Sequence, residues 1–193
     1  GESAKLLSPE KTVLLPAPEA DCPMAHMVED GFIERLRETY DDLAVVCYVN
    51  STARIKALSD VCVTSSNALA VVSSLTERTI AFVPDRHLGR HIAEMLPEKR
   101  FILNSGCCPV HDAMLADEIR ALKAQHPEAK VLVHPECNEA VMALADYAGS
   151  TAGIIDYAVR DKAEEYIIGT VGGVLHQIRR KTEGSGKRFF LPA

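Results

Sequence analysis

Short apolar runs rich in Val, Ile and Leu alternate along this chain with segments whose apolar residues recur at helical spacing. The runs at 12–15, 43–50, 61–68, 79–85 and 100–106 are typical of strands, and the segments at 32–40, 51–60, 68–75 and 87–96 are typical of helices. Continuous apolar strands that alternate with amphipathic helices indicate parallel sheets covered by helices on both faces. The pattern therefore predicts an α/β fold.

This alternation of strands and helices occurs at least twice, because residues that are 86 positions apart match. Cys22 and Pro23 fall on Cys108 and Pro109, and without a gap Val45 falls on Val131. At that offset predicted strands fall on strands and helices on helices. Internal repetition of this kind outweighs other signals when a fold is assigned.

A third copy is visible only at its edges. The segments 11–17 (KTVLLPA), 99–103 (KRFIL) and 187–193 (KRFFLPA) resemble one another, and each begins with a lysine. We expect residues 1–21 to be the tail of a first α/β unit, 22–107 a second unit and 108–193 a nearly complete third unit. The expectation is a chain truncated at both ends and built from repeated three-layer α/β/α units.

Cys22 and Cys108 each precede a proline that opens a helix-like run. Proline is favoured at the first helical position, where its missing N–H costs nothing. A cysteine immediately before it lies in the positive field of the helix terminus, which favours the thiolate that binds metals. The alternative is that cysteine merely fills a tight turn. Recurrence at matching positions favours the ligand interpretation.

Polar residues gather where the predicted strands end. Equivalent strand ends carry Tyr48 and Asn50 in one copy and His134 and Glu136 in the next, and the following pair of strand ends carries Ser65 and 150–151 (Ser-Thr). In parallel α/β sheets ligands bind beyond these carboxyl ends. Serine and threonine with backbone N–H groups suit a carboxylate or a phosphate, although such residues also cap helices. Tyr48, His134, Glu136 and His111 are side chains that move protons.

Composition narrows the class of protein. The 193 residues are 47% hydrophobic and 25% charged, with a formal net charge of −6, so no overall attraction to nucleic acid or to an anionic membrane is expected. No apolar run approaches the roughly 20 residues of a membrane span. We expect a cytoplasmic protein, where the six cysteines need a reason other than disulfides.

Several ungapped motifs, in order, resemble the quinolinate synthase family: CPMA, YVNSTARIKALSDVCVTSSNA, FVPDRHLG, CPVH, HPEC and DYAGSTAGI. The resemblance implies three α/β domains around a pseudo-threefold axis and a [4Fe–4S] cluster held by one cysteine from each, here Cys22 and Cys108. The third ligand would lie beyond residue 193. It also implies an enzyme that condenses iminoaspartate with dihydroxyacetone phosphate to form quinolinate in NAD biosynthesis, with L-aspartate oxidase as supplier of the first substrate.

By the same resemblance a set of residues contacts substrate or product, with catalytic roles for Tyr48, His111, His134 and Glu136. The substrate-binding set is Tyr48, Asn50, Ser65, His134, Pro135, Glu136, Ser150 and Thr151. Val171 stands where the family usually has glutamate, which leaves the role of that glutamate open here. Cys137 aligns with Ser51 rather than with Cys22, so we do not expect it to be a ligand.

Two function classes stay open at this stage. The first is a quinolinate synthase fragment, inactive on its own and monomeric or homodimeric. The alternative is a non-catalytic α/β module that binds a small anion without metal, because two cysteines cannot satisfy a four-iron cluster.

Overall fold

The computed structural model describes residues 1–17 and 19–192, which divide into two compact units, 1–107 and 108–193. The first unit contains α1 Glu2–Leu7, a 3-10 helix Pro23–His26, α2 Phe32–Thr39, β1 Leu43–Tyr48, α3 Ala53–Leu58, β2 Val61–Val63, α4 Ala68–Ser74, β3 Thr79–Val83, α5 Arg86–Met95 and β4 Arg100–Leu103. The second contains α6 Pro109–Asp112, α7 Ala116–Gln125, β5 Lys130–Val133, α8 Glu139–Met142, β6 Tyr147–Ala148, α9 Thr151–Arg160, β7 Glu165–Gly169, α10 Val174–Lys181 and β8 Arg188–Phe190.

The first unit is built on a parallel sheet in the order β2-β1-β3-β4. Successive strand residues point to opposite faces, and one face of β1 and β3 packs against Ile33 of α2 and Ile55 of α3. On the opposite face Phe82 lies so close to α5 that a Cβ built on Gly89 would sit 3.0 Å from its ring. Helices therefore cover both faces of this sheet.

The second unit repeats the same parallel arrangement, in the order β6-β5-β7-β8. Leu132 and Ile168 pack on one face with α9 and α10, while Val133 and Ile167 pack on the other with α7 and α8. Because apolar residues alternate between two separate clusters, the unit is a three-layer α/β/α structure. The prediction of an α/β fold with parallel sheets is confirmed.

The repeat holds at the level of single backbone pairs. Val46 pairs with Val61 in the first sheet, and Leu132 pairs with Tyr147 in the second, which preserves the offset of 86. The last strand departs from it, because Thr79 pairs with Arg100 whereas Glu165 pairs with Arg188, an offset of 88. The two extra residues lie between β7 and β8, where Gly184 and Gly186 have positive φ angles of 78° and 76°.

Residues 12–15 (TVLL), expected to form a strand, have no regular secondary structure, so that prediction was wrong. Leu14 and Leu15 are exposed, and no described strand pairs with this segment. An apolar run becomes a strand only when a neighbour supplies hydrogen bonds to its backbone. Across the described residues, no helix has the length and apolar character that crossing a membrane requires.

Candidate functional site

The Cys108 turn lies over the carboxyl edge of the second unit's own sheet. Cys108 is the N-cap residue of α6 and Pro109 is its first residue, as the sequence predicted. The Asn138 side chain, which follows β5, donates hydrogen bonds through Nδ2 to the carbonyl oxygens of Asp112 (3.0 Å) and Met114 (2.8 Å). These bonds fix the end of α6 to the loop that follows the strand, which holds Cys108 near the strand ends.

His111, on α6, is buried among three polar partners. Its Nδ1 lies 3.2 Å from Cys108 Sγ and 2.8 Å from Glu136 Oε2, and its Nε2 lies 2.9 Å from Thr170 Oγ1. Burial favours the neutral ring, but the hydrogen bonds and negative charge of Cys108 and Glu136 outweigh it and raise the pKa of His111 to about 9. The raised pKa favours the protonated ring, in which Nδ1–H donates to Glu136.

His134 and Glu136 follow β5 directly and are as buried as His111. The His134 backbone N–H donates to Gly169 O at 3.0 Å, which continues the β5–β7 pairing by one residue. The Glu136 backbone N–H donates to His134 Nδ1 at 3.3 Å. The rings of His111 and His134 stack, with centroids 4.7 Å apart and 18° between their planes. A carboxylate and two imidazoles thus form one buried group at the strand ends.

One atom each of Cys108, His111 and Glu136 forms a group that has the chemistry of a metal site. The thiol sulfur, the ring nitrogen and the carboxylate oxygen all lie within 4.8 Å of one another. Cys137 lies outside this group, since its thiol is directed at Met114 Sδ (3.7 Å) and at Gly169 O (3.5 Å). Thiolate, imidazole and carboxylate together suit a transition metal rather than a hard cation such as Mg²⁺.

The remaining candidates in this unit lie at the same edge of the sheet. Pro135 is buried between His134 and Glu136. Ser150 is the N-cap residue of α9, and its Oγ accepts a hydrogen bond from the Gly153 N–H at 3.2 Å. Thr151 is the first residue of that helix and is half-buried. The capping role that sequence reasoning left open for Ser150 is therefore present, and the α9 N-terminus lies just after the short strand β6.

In the first unit, the loop that follows the Cys22 turn is held near the strand ends by a different asparagine. Cys22 is the N-cap residue of the 3-10 helix 23–26, and Met24 of that helix is fully buried. Asn104, which follows β4, donates from Nδ2 to Met27 O (3.0 Å) and to Pro84 O (2.9 Å). The loop that leaves the Cys22 turn is thereby fixed to the residues that follow β3 and β4.

The other first-unit candidates also lie beyond strand ends. Tyr48 is the last residue of β1 and is buried, whereas Asn50, two residues further, is exposed. Ser65 is half-buried in the turn after β2, where the Thr64 N–H donates to Asn67 Oδ1 at 2.6 Å. Each unit therefore presents its candidate residues at the carboxyl edge of its own sheet.

Sequence reasoning missed Thr170 as a site residue. Thr170 immediately follows β7, is buried and contacts His111 Nε2 across 59 residues of sequence. The repeat gave no signal, because the equivalent position in the first unit is Pro84. The only available indication was its place after a buried strand, the criterion that identified Tyr48 and His134.

Comparison with known proteins gives the family of the chain. The family model described as Quinolinate synthetase A protein matches residues 1–193. Curated proteins named quinolinate synthase are similar to the chain: one from Clostridioides difficile is 46% identical over 192 residues, one from Fusobacterium nucleatum is 51% identical over 181, and one from Geobacter metallireducens is 49% identical over 191.

These alignments cover 100%, 94% and 98% of this chain but 62%, 60% and 62% of the respective relatives. The chain thus spans about three fifths of the length of the curated relatives that it matches. With a family model matched from its first residue to its last, and with the predicted resemblance confirmed, the chain belongs to the Quinolinate synthetase A protein family.

Proposed function

We propose that this chain forms part of a quinolinate synthase, which condenses iminoaspartate with dihydroxyacetone phosphate and releases phosphate and water to give quinolinate for NAD biosynthesis. The observation that carries the proposal is the buried group of His111, His134 and Glu136 beside Cys108, at the carboxyl edge of a parallel sheet. Three buried side chains that can transfer protons are typical of a catalytic site, and a module that only binds a small anion does not require them.

In this proposal Glu136 accepts a proton from the substrate. Its Oε2 accepts a hydrogen bond from His111 Nδ1–H, so the carboxylate is held in one orientation while its other oxygen accepts the proton from substrate. Thr170 fixes the ring from the opposite side through Nε2. His134, stacked on His111, and Tyr48, at the end of β1, donate hydrogen bonds to substrate carboxylates or to a developing oxyanion.

The donor atoms present fit the proposed [4Fe–4S] cluster. Cys22 and Cys108 each occupy the N-cap position before a helical proline, and cysteine thiolates are the usual protein ligands of iron–sulfur clusters. They would supply two of its ligands. A cluster with one iron not bound by protein supplies a Lewis acid that polarises a substrate hydroxyl or carboxylate. Ser65, Ser150 and Thr151, with Asn50 and Pro135, would line the place of substrate carboxylates or phosphate.

A chimera tests the proposal. The 193 residues replace the corresponding region of the Clostridioides difficile relative, and the protein is reconstituted anaerobically and supplied with dihydroxyacetone phosphate and iminoaspartate made by L-aspartate oxidase. We expect quinolinate to form. Glu136→Gln should lower kcat by about 10²–10⁴-fold at unchanged cluster content, as for other positioned acid–base groups. Tyr48→Phe should mainly raise KM.

The matched control is Cys62→Ser, which alters an exposed cysteine on β2. It should leave the cluster absorbance and the kinetics unchanged, whereas Cys22→Ser and Cys108→Ser should abolish cluster absorbance. A chimera that holds a full cluster and makes no quinolinate would refute the proposal and favour the non-catalytic module. Turnover by Glu136→Gln near that of the parent chimera would remove Glu136 from the mechanism.

A further inference from the structure

We infer that the cluster-free chain binds a single divalent transition-metal ion of the zinc class through Cys108 Sγ, His111 Nδ1 and Glu136 Oε2, with water in the fourth position. All three residues belong to the second unit, so the site is complete within residues 108–193. The inference does not rest on the proposed function, because it concerns the protein before any cluster is present.

The distances favour a tetrahedral ion. Bonds of about 2.3 Å to sulfur and about 2.0–2.2 Å to nitrogen and oxygen place tetrahedral ligand atoms about 3.3–3.6 Å apart. The distance from His111 Nδ1 to Cys108 Sγ is 3.2 Å, and that from Nδ1 to Glu136 Oε2 is 2.8 Å. Cys108 Sγ and the Glu136 oxygen lie within 4.8 Å of each other. Ion binding therefore requires His111 Nδ1 to withdraw by about half an ångström from its two partners, and the sulfur and the oxygen to approach each other by at most about 1.2 Å.

Thr170 gives an independent indication of a metal ligand. Histidines that bind metals almost always donate their other ring N–H to an oxygen, which fixes the tautomer and the orientation of the ring. His111 has such a partner, because its Nε2 lies 2.9 Å from the buried Thr170 Oγ1. The ion displaces the proton that Nδ1 shares with Glu136, and with the remaining proton on Nε2 the Nδ1 lone pair is directed at the space shared by the thiol and the carboxylate.

His134 is excluded as the fourth ligand by its orientation. A metal binds an imidazole nitrogen close to the plane of the ring. The rings of His111 and His134 are stacked, with centroids 4.7 Å apart and only 18° between their planes. An ion in the plane of His111 is therefore displaced from the plane of His134, which leaves one position for water. Structural zinc sites use four protein ligands, whereas three ligands and a water make an open site.

The site has a functional consequence, which rests on the proposed function: a Cys108 thiolate bound to a divalent ion in this group is not available as a terminal ligand of a cluster iron. Thiolate sites prefer zinc to ferrous iron in the order of divalent affinities. An ion on Cys108, His111 and Glu136 therefore blocks cluster assembly until it is removed. A cluster-free chain that has bound zinc through these three side chains would therefore be unable to accept a cluster.

Cobalt serves as the spectroscopic probe for zinc. The 193-residue chain is purified without cluster, reduced, freed of metal by chelator and titrated anaerobically with Co²⁺. We expect one ion per chain, with a thiolate-to-cobalt charge-transfer band, the intense visible bands of tetrahedral Co²⁺, and displacement by Zn²⁺. Zinc X-ray absorption should show one sulfur at about 2.3 Å and the remaining ligands at about 2.0–2.2 Å.

Variants decide which residues bind the ion. Cys108→Ser should abolish the charge-transfer band, whereas Cys22→Ser and Cys62→Ser should retain it. Thr170→Val should weaken Zn²⁺ affinity by about 10–100-fold, as loss of an outer-shell partner does. The matched control is Thr182→Val, which removes a hydroxyl that donates to Ile178 O at the end of α10. It should leave the Zn²⁺ affinity unchanged. Circular dichroism verifies that each variant is folded.

Three results would overturn the inference: a charge-transfer band that persists in Cys108→Ser, a band lost in Cys22→Ser, or equal Zn²⁺ affinity in folded Thr170→Val and Thr182→Val. Octahedral cobalt spectra without charge transfer would also overturn it, because they would show that the thiol is not a ligand. Quinolinate synthesis plays no part in these measurements, so failure here leaves the proposed function untouched.

Discussion

Protonation of His111 should make the stability of the cluster-free second unit depend on pH. Its pKa rises from 6.5 to about 9 in the folded state, because hydrogen bonds and charge from Cys108 and Glu136 outweigh burial. A raised folded pKa means that the proton binds the folded state more tightly than the unfolded one. The contribution is therefore fully present below pH 6.5 and is lost as pH rises through 9.

The difference between 6.5 and about 9 corresponds to about 3 kcal/mol of unfolding free energy. With a urea dependence of about 1–3 kcal/mol per molar, the urea midpoint of the second unit should fall by about 1–3 M between pH 6.5 and 9.5. His91 does not contribute above pH 6.5, since desolvation lowers its pKa from that value. Burial and Asp161 raise the pKa of Tyr166 far above this range.

The assay is urea unfolding of reduced, chelator-treated protein, followed by hydrogen-exchange mass spectrometry. Peptides from β5 and β7 report on the second unit, and peptides from β1 and β3 report on the first unit as an internal reference. Glu136→Gln removes the carboxylate but keeps the shape of the side chain, so it should reduce the pH dependence of β5 and β7. His111→Asn should abolish the part due to the imidazole.

The reasoning is refuted if the urea midpoint of β5 and β7 stays constant or rises from pH 6.5 to 9.5. It is equally refuted if His111→Asn retains the full decrease, because the titrating group would then be another residue. A decrease of equal size in β1 and β3 would show that the effect is not specific to the second unit.

Three further predictions concern packing and activity. Gly169→Ala should lower the unfolding free energy by about 1–3 kcal/mol in urea titrations, because a Cβ there would lie 2.9 Å from Val133 Cγ1; an unchanged midpoint would contradict this. Tyr166→Phe should cost about 1 kcal/mol in the same assay through loss of the hydroxyl bonds to Asp161 and Ala163, and a more stable variant would show that those bonds contribute nothing. The 193-residue chain alone, reconstituted anaerobically, should make no quinolinate by chromatography, since it spans about three fifths of its relatives; measurable product would contradict this.

Much of the fold could be predicted because its strands are buried on both faces. Runs such as 43–48 and 79–83 are apolar throughout, so they are recognisable without knowledge of their partners. The offset of 86 then allowed the strands of the second unit to be assigned from their equivalents in the first. The segment 12–15 was mispredicted for the same reason that the others succeeded, since apolar character identifies a strand only where a paired neighbour exists.

For the candidate group around His111, the sequence indicated which strand ends to consider but not which side chains would be in contact. Strand ends and the Cys-Pro turns indicated Cys108 and Glu136 by position alone. The contact of His111 with Thr170 depends on how a four-residue helix lies over a strand end 59 residues away. No local pattern encodes that distance, and the repeat places a proline at the equivalent position. The positions of candidate side chains could therefore be predicted from the repeated backbone, whereas a contact between distant residues that occurs in one unit alone could not.

The change of offset from 86 to 88 has a practical consequence for protein engineering. Leu88 and Ile92 of α5 align at offset 86 with Val174 and Ile178 of α10, and all four are buried, so the two additional residues fall between α10 and β8. Loops from helix to strand in a parallel sheet lie at the amino end of the strands. Variation in chain length has thus been accommodated opposite the edge that carries Cys108 and Glu136. The exposed Gly184–Ser185 peptide is the position at which to insert an affinity tag or a fluorophore without disturbing the chemistry.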